Sequence, residues 1–523
     1  MLTKVSILVM IGAVVYGMVI MSIFPGAFVI DDVYITFRYA DNLALHGELT
    51  WNVGDPPVEG YTGVVLPVLI AGAIRAGVSP LVATRAIGIA SFWLSFLMLF
   101  LIGRRLKVPP IGIAGSLLIF VTTPILITHT FSGMDTMLFL SMMLSSIFAF
   151  ISKKDRTLLV LLLLTSLVRP EGVAFSFFTL IVAGWERYRA SRAEWRKFLM
   201  QFLFIYFLPA IAYFLWRVSY YGKLMPNTFY AKSGIGFQIG TLIDLARFLR
   251  RYFAVPLLGV AVLVSAETDV LWEGLRSSYR AREGAVRLIF AALFSLTVIG
   301  MLLQSHLTMN FSHRFYTMLF PVVWVFFLYL WKVGFSSIEH TKGDKPIRYR
   351  FVMTVFFILI LYQSAFQVVK VRDEVNFAKR EVILLQSVHM EVGKELKKIV
   401  PISETLIVYM DAGIIPYISE RRTIDFGDLN DSLLASHTLS PSERVDYFFS
   451  HKAAAVVITS INHERIEESE EAIRIVNDPR FRNYVLYKRF APSDPAIRYY
   501  EFVYLRNDLY EKLRKEGKIS KEI

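Results

Sequence analysis

Hydrophobic residues are concentrated in long uncharged segments that alternate with short polar loops. The first segment, residues 5–28, carries no charge, and it exceeds the roughly 20 apolar residues that a helix needs to cross a bilayer. Segments of similar character follow as far as residue 369. The pattern predicts a multipass α-helical membrane protein with about eleven transmembrane helices, near residues 5–28, 81–103, 109–129, 135–152, 157–169, 171–185, 198–218, 248–265, 287–303, 314–333 and 351–369.

The apolar stretch 63–77 is a different kind of segment, because it is short, contains Pro67 and follows a polar loop. We predict a juxtamembrane or re-entrant helix there rather than a span. With this assignment, alternate loops are rich in Lys and Arg, as at 104–107, 153–156, 187–197, 276–287 and 342–350. Cytoplasmic loops carry such an excess. The N-terminus is therefore predicted to be cytoplasmic, in a plasma-membrane protein whose remaining loops face outward.

Composition agrees with a membrane protein and excludes several kinds of site. Of the 523 residues, 55% are hydrophobic and 14% aromatic, both above the range of an average soluble domain. There is no cysteine, which rules out disulfides, zinc–thiolate sites and thiol nucleophiles. The formal charge of +13 lies mainly in short loops, where membrane orientation is its usual cause, so no nucleic-acid partner is predicted. Residues 1–28 are predicted to be an uncleaved anchor.

The chain changes character after the last apolar segment. Residues 371–400 have the apolar spacing of an amphipathic helix, and four short runs rich in β-forming residues follow, at 405–410, 453–460, 484–490 and 499–505. Strands that alternate with helical stretches predict a small α/β domain. We therefore expect a transmembrane domain over 1–369, whose first outer loop is 29–80, and a C-terminal extracytoplasmic α/β domain over 370–523.

Two adjacent aspartates, Asp31 and Asp32, directly follow the first predicted span. A charged pair at the membrane surface suits acid–base chemistry on a substrate dissolved in the membrane. Asp is also a preferred N-cap residue, so one of the two could cap the helix predicted to begin near Val33. Paired carboxylates can bind a divalent cation as well. All three interpretations are open from the residues alone, and no other cofactor is predicted.

Several motifs on the predicted outer face resemble one family when they are taken together. The string DDVYITFRYADNLALHGELTWNVGDPPVEGYTG, from Asp31, resembles the first outer loop of the GT-C superfamily of polyprenyl-phosphate-dependent glycosyltransferases. Within that superfamily it is most similar to the mycobacterial-type terminal arabinofuranosyltransferases. Further matches follow in the family's order: SGMDTMLF (132–139), SLVRPEG (166–172), YYGKLMPNTFYAK (220–232), HRFYTMLFP (313–321) and VYMDAGIIPYISERRTIDFGDLND (408–431).

The resemblance implies a GT-C fold and an inverting transfer of a sugar, arabinofuranose first, from a polyprenyl phosphate to a hydroxyl of a cell-envelope glycan, glycolipid or protein. It implies catalytic roles for Asp31 and Asp32, of which Asp32 is favoured as the base. The remaining candidates fall into two groups. Donor phosphate or sugar binding is expected of Arg38, Glu59, Tyr61, Arg169, Glu171, Asn227, Lys232, His313 and Arg314, and acceptor binding of Asp135, Asp411 and Asp425.

Each of these residues also has a purely structural interpretation. Arg169 could be paired with Glu171, because a charged side chain near lipid is costly without a partner. Lys232 and Arg314 could anchor the protein at the membrane interface. Arg38 and Glu59 suit an exposed surface, and Asp135 suits an N-cap. The tail aspartates Asp411, Asp425 and Asp428 are also ordinary turn residues.

Two other classes of protein are compatible with many spans. A transporter or polyprenyl-lipid flippase tends to place ionisable residues near the midplane of repeated halves, whereas here they cluster at the outer boundary. A receptor or assembly factor would need only the tail. Among enzymes, the alternative is a GT-C mannosyl- or aminoarabinose-type transferase.

Overall fold

The computed structural model describes residues 2–232, 238–266, 283–305, 307, 309–340, 346–467 and 469–519. Each predicted span coincides with one or more helices. The helices before the tail are α1 (Leu2–Ile23), α2 (Asp32–His46), α3 (Val65–Arg75), α4 (Pro80–Arg105), α5 (Pro110–Thr122), α6 (Pro124–Phe131), α7 (Thr136–Ile151), α8 (Asp155–Val168), α9 (Glu171–Ala190), α10 (Arg192–Gln201), α11 (Leu208–Tyr221), α12 (Asn227–Lys232), α13 (Ile239–Ala266), α14 (Glu283–Leu303), α15 (Phe320–His340) and α16 (Pro346–Leu384).

Local breaks shape several of these helices. Pro124 has no backbone N–H to continue α5, and α5 and α6 are bent by 56°. A π-helical turn, Phe202–Phe207, joins α10 to α11, and a 3₁₀ segment, Phe311–Leu319, precedes α15. In the described part of the chain, four helices are long and apolar enough to cross a membrane, or five if the bent pair forms one span. The number of eleven spans stays a prediction.

The helical part is packed around one large apolar core. Helix α1 packs on α5, α4 on α7, and α7 on α8. Phe92, Phe120, Leu144 and Trp324 are among its fully enclosed side chains. Helix α3, from the stretch predicted to be juxtamembrane, has 11 residues, too few to span a bilayer. It packs chiefly on α2.

The tail forms a five-stranded mixed sheet. Its strands are β1 (Thr405–Tyr409), β2 (Arg422–Asp425), β3 (Ala455–Ser460), β4 (Tyr484–Phe490) and β5 (Tyr500–Arg506), in the order β2-β1-β3-β5-β4. Strand β1 is parallel to β2 and β3, and β5 is antiparallel to β3 and β4. The helices are α17 (Met390–Ile399), α18 (Ile414–Ser419), α19 (Ser432–Ala435), α20 (Pro441–Ser450), α21 (Glu470–Asn477) and α22 (Asn507–Lys515).

The tail and the first outer loop share an apolar core. Val33, Phe37 and Leu66 of the loop region pack in the same cluster as Val388 and Ile415 of the tail. Helix α16 runs without interruption through the predicted boundary at residue 370, and a π-helical turn, Leu385–His389, connects it to α17. The predicted amphipathic helix is thus a continuation of the last apolar helix. The tail is therefore held against the loop that carries the aspartate pair.

Candidate active site

The turn between α1 and α2 positions the aspartate pair. Val29, Ile30 and Val33 are buried on either side of it, and the Ile30 amide donates to the Ser132 carbonyl over 3.1 Å. Asp31 has helical backbone angles, and its side chain makes no capping hydrogen bond in α2. The capping interpretation therefore does not describe Asp31.

The Asp31 carboxylate is instead bound by the tail. One oxygen accepts a hydrogen bond from the Gly413 amide and the other from the Ile414 amide, both over 2.9 Å. His389 Nδ1 lies 3.2 Å from Asp31 Oδ1. A side chain on Gly413 would collide with Asp31, since an added Cβ would lie 2.2 Å from the carbonyl oxygen of Asp31 and 2.2 Å from its Oδ2. Glycine at this position thus allows the close approach of tail and loop.

Asp32 faces a buried arginine. Asp32 Oδ2 lies 3.6 Å from Arg314 Nη1, and the side chains are 20% and 4% exposed, respectively. Arg314 Nε and Nη1 are buried and have no hydrogen-bond partner among the described residues. The guanidinium packs on the Phe315 ring, with its central carbon 4.6 Å from the ring centroid. A buried cation with unused donors can bind an anionic ligand strongly, because no water competes for it.

An unusual turn directs Arg314 inward. Ser312 and His313 have positive φ angles of 44° and 55°, which non-glycine residues rarely adopt and which cost energy unless the surroundings hold them. Ser312 Oγ donates to Glu374 Oε2 over 2.6 Å, and the Ser312 carbonyl lies 3.1 Å from His129 Nε2. Glu374 and His129 thus fix the turn, and neither was predicted as a site residue.

Arg169 is paired with both neighbouring carboxylates. Its Nη1 lies 2.9 Å from Asp135 Oδ1, and its Nη2 lies 2.9 Å from Glu171 Oε1. All three side chains are largely buried. Asp135 makes no capping hydrogen bond at the start of α7. These contacts match the structural interpretation of Arg169, whose charge is balanced within the protein.

Arg38 joins the first outer loop to the tail. Its guanidinium donates to the carbonyls of Trp51, Pro416 and Arg421 and to Asn52 Oδ1, over 2.6 to 2.9 Å. The guanidinium thus donates to acceptors in the loop, at Trp51 and Asn52, and in the tail, at Pro416 and Arg421. Arg38 is therefore placed as a connector.

Glu59, Tyr61 and Asn227 link the loop 29–80 with α11 and α12. Glu59 forms a buried ion pair with Arg217 at 2.6 Å. The Tyr61 and Tyr221 hydroxyls are 3.0 Å apart. The Asn227 amide donates to the Glu59 carbonyl over 3.0 Å, and its Nδ2 donates to the Leu429 carbonyl of the tail. These predicted site residues are brought together, but in a contact between outer segments.

A second buried polar cluster lies in the tail. Asp411 Oδ2 accepts hydrogen bonds from the Thr459 and Tyr499 hydroxyls, over 2.7 and 2.5 Å. His389 Nε2 lies 3.9 Å from Asp411 Oδ2 and 3.8 Å from Glu501 Oε1. Burial raises the pKa of Glu501 well above its usual range, and Asp411 adds to this. Burial alone would also raise the pKa of Asp411, but His389 holds it below its usual value.

Asp425 is bound by its own loop. At the end of β2, its carboxylate accepts hydrogen bonds from the Gly427 amide and from the amide and side chain of Asn430, over 2.6 to 2.9 Å. Burial raises the pKa of Asp425 to about 6. Asp428 is paired with Arg444 at 2.9 Å. Turn chemistry therefore accounts for the contacts of Asp425, and an ion pair with a helix of the tail accounts for that of Asp428.

Two further predicted ligands have different placements. The His313 ring lies among aromatic rings, with its centroid 5.7 Å from that of Phe248 and 5.9 Å from that of Tyr316. It therefore packs toward α13 rather than pairing with Asp32. Lys232 ends α12, and its side chain lies outside the described part of the structure.

Comparison with known proteins establishes the fold. No protein-family model and no curated protein sequence matches the chain. Among solved structures, ArnT from Cupriavidus metallidurans in the apo state is similar, with a TM-score of 0.56 and 10% identity over 97% of this chain and 99% of that one. ArnT from the same organism bound to undecaprenyl phosphate has a TM-score of 0.54 and 10% identity, covering 96% and 98% of the two chains. The predicted GT-C fold and membrane character are thus confirmed.

Proposed function

We propose that this protein is an inverting glycosyltransferase that moves a sugar from a polyprenyl phosphate to an acceptor hydroxyl of a cell-envelope glycan, at the outer face of the plasma membrane. The Asp32–Arg314 pair is the observation that carries this proposal. It combines a partly accessible carboxylate with a buried guanidinium whose Nε and Nη1 have no hydrogen-bond partner in the part of the chain that the structure describes. A base and a phosphate-binding cation are the two groups that this reaction needs.

The chemistry can be assigned to these two side chains. The acceptor oxygen bonds to C1 of the sugar while the bond from C1 to the phosphate oxygen breaks. Asp32 takes the proton of the acceptor hydroxyl, and the electron pair of the broken bond stays on the phosphate, which leaves without protonation. Arg314 stabilises the charge of that phosphate.

The contact between the two side chains suggests an order of events. In the free protein, Arg314 Nη1 lies 3.6 Å from Asp32 Oδ2, so the cation faces the base. A donor phosphate carries more charge than one carboxylate and competes for the same guanidinium. Donor binding therefore draws Arg314 toward the phosphate and away from Asp32.

An apolar cavity between four helices supports a lipid-linked donor. A cavity of about 480 Å³ lies between α7, α9, α14 and α15, and aromatic and aliphatic side chains form most of its lining. On α9 it begins at Phe175, four residues and thus about 6 Å along the helix from Glu171. It continues to Lys332 on α15. This cavity would accommodate part of a polyprenyl chain whose phosphate is at Arg314.

The fold similarity supports the same donor class. One of the ArnT structures was determined with undecaprenyl phosphate bound. For this chain we keep arabinofuranose as the first donor sugar, on the motifs that begin at Asp31. An aminoarabinose-type or mannosyl transferase is the second candidate, and the fold similarity to ArnT favours the aminoarabinose type. In either case, the tail would cover the site or bind the acceptor, for which Asp411 and Asp425 were predicted.

Sugar transfer from defined donors tests this proposal. Purified protein in nanodiscs would receive synthetic polyprenyl phosphates that carry arabinofuranose, mannose or aminoarabinose, each with glycan and glycolipid acceptors. We expect one donor to be consumed. Arg314→Gln should weaken donor binding by about 30-fold or more, the loss expected when one partner of a buried charge pair is removed. Arg247→Gln is the control, because that arginine is 66% exposed.

The outcomes separate the competing classes. Consumption of a hexose or of aminoarabinose alone would retain the transferase and reject the arabinose assignment. If no lipid-linked sugar is consumed, but labelled polyprenyl phosphate crosses the bilayer in the presence of the protein, the flippase interpretation replaces the transferase.

A further inference from the structure

The tail cluster at His389 brings three carboxyl groups around one imidazole. Asp411 follows β1, Glu501 lies on β5 and Asp31 comes from the first outer loop. The His389 imidazole contacts all three carboxylates, at 3.2 to 3.9 Å. His389 and Glu501 are 2% and 0% exposed. Buried carboxylates are costly unless cations or hydrogen bonds compensate them.

Two buried atoms in this cluster have no partner among the described residues. His389 Nε2 makes no hydrogen bond, although it points between Asp411 and Glu501. Glu501 Oε2 is also buried without a hydrogen-bond partner. Buried polar atoms are nearly always satisfied. The unused imidazole nitrogen, which lies 3.8 Å from Glu501 Oε1 and 3.9 Å from Asp411 Oδ2, therefore indicates a ligand that accepts an electron pair from it.

The spacing of the donor atoms fits one metal ion. Asp31, His389 and Asp411 each offer a ligand atom, and these atoms all lie within 4.8 Å of one another. A cation with bonds of about 2.0 to 2.2 Å can join donors that are up to about 4 Å apart. His389 Nε2 lies 3.8 Å from Glu501 Oε1 and 3.9 Å from Asp411 Oδ2. His389 Nε2 is therefore close enough to each of these two carboxylates to share one ion with it.

We propose that His389 Nε2, Asp411 and Glu501 bind one divalent cation of the zinc or manganese type, and that Asp31 orients the imidazole through Nδ1. One imidazole with carboxylates is a donor set that such ions accept. A carboxylate behind a metal-binding histidine fixes the ring and its tautomer. The 3.2 Å contact between Asp31 Oδ1 and His389 Nδ1 matches this arrangement of carboxylate and histidine.

The consequence is a metal-dependent attachment of the tail to the membrane part. The Asp31 carboxylate already accepts hydrogen bonds from the Gly413 and Ile414 amides. The cation would also fix His389, which contacts the same carboxylate, against β1 and β5. Asp32, the next residue, is positioned by the same contact. This inference rests on the cluster alone and not on the proposed transferase.

Metal content and thermal stability of the full-length protein test the proposal. The protein is purified in detergent, and its zinc and manganese are measured by mass spectrometry before and after dialysis against a chelator. We expect about one equivalent per chain. Chelation should lower the melting temperature, and added zinc or manganese should restore it. Glu501→Gln should abolish stoichiometric binding, and Asp31→Asn should weaken metal affinity by about 10- to 100-fold.

His463→Gln is the matched control, because it removes an exposed histidine of the same tail and should leave the metal content unchanged. Asp31→Asn also serves as the milder variant if Glu501→Gln does not fold. A wild-type protein that holds no divalent cation, even after zinc and manganese are added, would overturn the proposal. Equal metal content in wild type and Asp31→Asn across a chelator titration would also overturn it. Neither readout depends on sugar transfer, so failure here is distinct from failure of the transferase assignment.

Discussion

Replacing Gly413 with alanine should displace Asp32, the proposed base, by pushing on the neighbouring residue Asp31. An alanine Cβ at this position would lie 2.2 Å from the Asp31 carbonyl oxygen, 2.2 Å from Oδ2 and 2.5 Å from Cγ. Ordinary contact begins near 3.4 Å, so tail and loop must separate by about 1.2 Å. One of the colliding atoms belongs to the backbone, and a side-chain rotation cannot relieve that contact.

The magnitude follows from this displacement. Asp31 is bonded to Asp32, so a shift of its backbone moves the proposed base by a similar distance. A misplacement of about 1 Å in a reacting group costs on the order of 10²-fold in rate. Overpacking of a close contact also destabilises a protein by about 1 to 3 kcal/mol. Arg314 lies on a different segment, and donor binding should change little.

Single-turnover sugar transfer with preloaded donor measures the effect, together with donor affinity and the melting temperature. Gly72→Ala is the control. Gly72 lies in α3, and its added Cβ would meet nothing within 4 Å, so this variant should keep wild-type transfer. The reasoning is refuted if Gly413→Ala transfers sugar at the wild-type rate, because the tail would then have no part in positioning the aspartate pair.

Two further predictions concern stability. Arg169→Met leaves the buried Asp135 and Glu171 without their cation and should lower the free energy of unfolding, measured by chemical denaturation, by about 3 to 5 kcal/mol. Arg247→Met removes only a surface ion pair and should lower it by less than about 1 kcal/mol. Equal losses in the two variants would contradict the argument from burial. Because burial raises the pKa of Asp425 from 3.8 to about 6, this group's contribution is complete below pH 4 and is lost as the pH rises through 6. Relative to wild type, Asp425→Asn should therefore gain about 3 kcal/mol between pH 4 and pH 7, and a stability difference that stays constant over this range would contradict the shift.

Much of the fold follows from local sequence. The uncharged runs coincide with helices, and the strands β1, β3 and β4 lie within the predicted runs of β-forming residues. Strand β5 extends one residue past its predicted run, to Arg506. Strand β2 has only four residues, and they include Arg422 and Asp425, so it carries little local signal. Helix α16 extends past residue 369, the predicted end of the last span, because Lys, Arg and Glu are good helix formers. Hydropathy alone marks where an apolar segment ends, not where a helix ends.

The site was only partly predictable. Asp32 and Arg314 were identified separately, but their pairing depends on tertiary packing. A charged residue in a polar loop gives no indication of whether its partner is a ligand or the protein, and for Arg38 the contacts are with the protein. His389 and Glu501 were missed, although Glu501 interrupts a strand of apolar and aromatic residues, which is a detectable sign of a buried acid.

The most direct test of the central claim is the single-turnover rate of Asp32→Asn with donor already bound. The account predicts that donor affinity stays within a few-fold of wild type, while transfer falls by about 10²- to 10⁴-fold, the usual contribution of a general base. Asp373→Asn, a change at an exposed aspartate of α16, should transfer at the wild-type rate. Transfer by Asp32→Asn at the wild-type rate would contradict the assignment of Asp32 as the base.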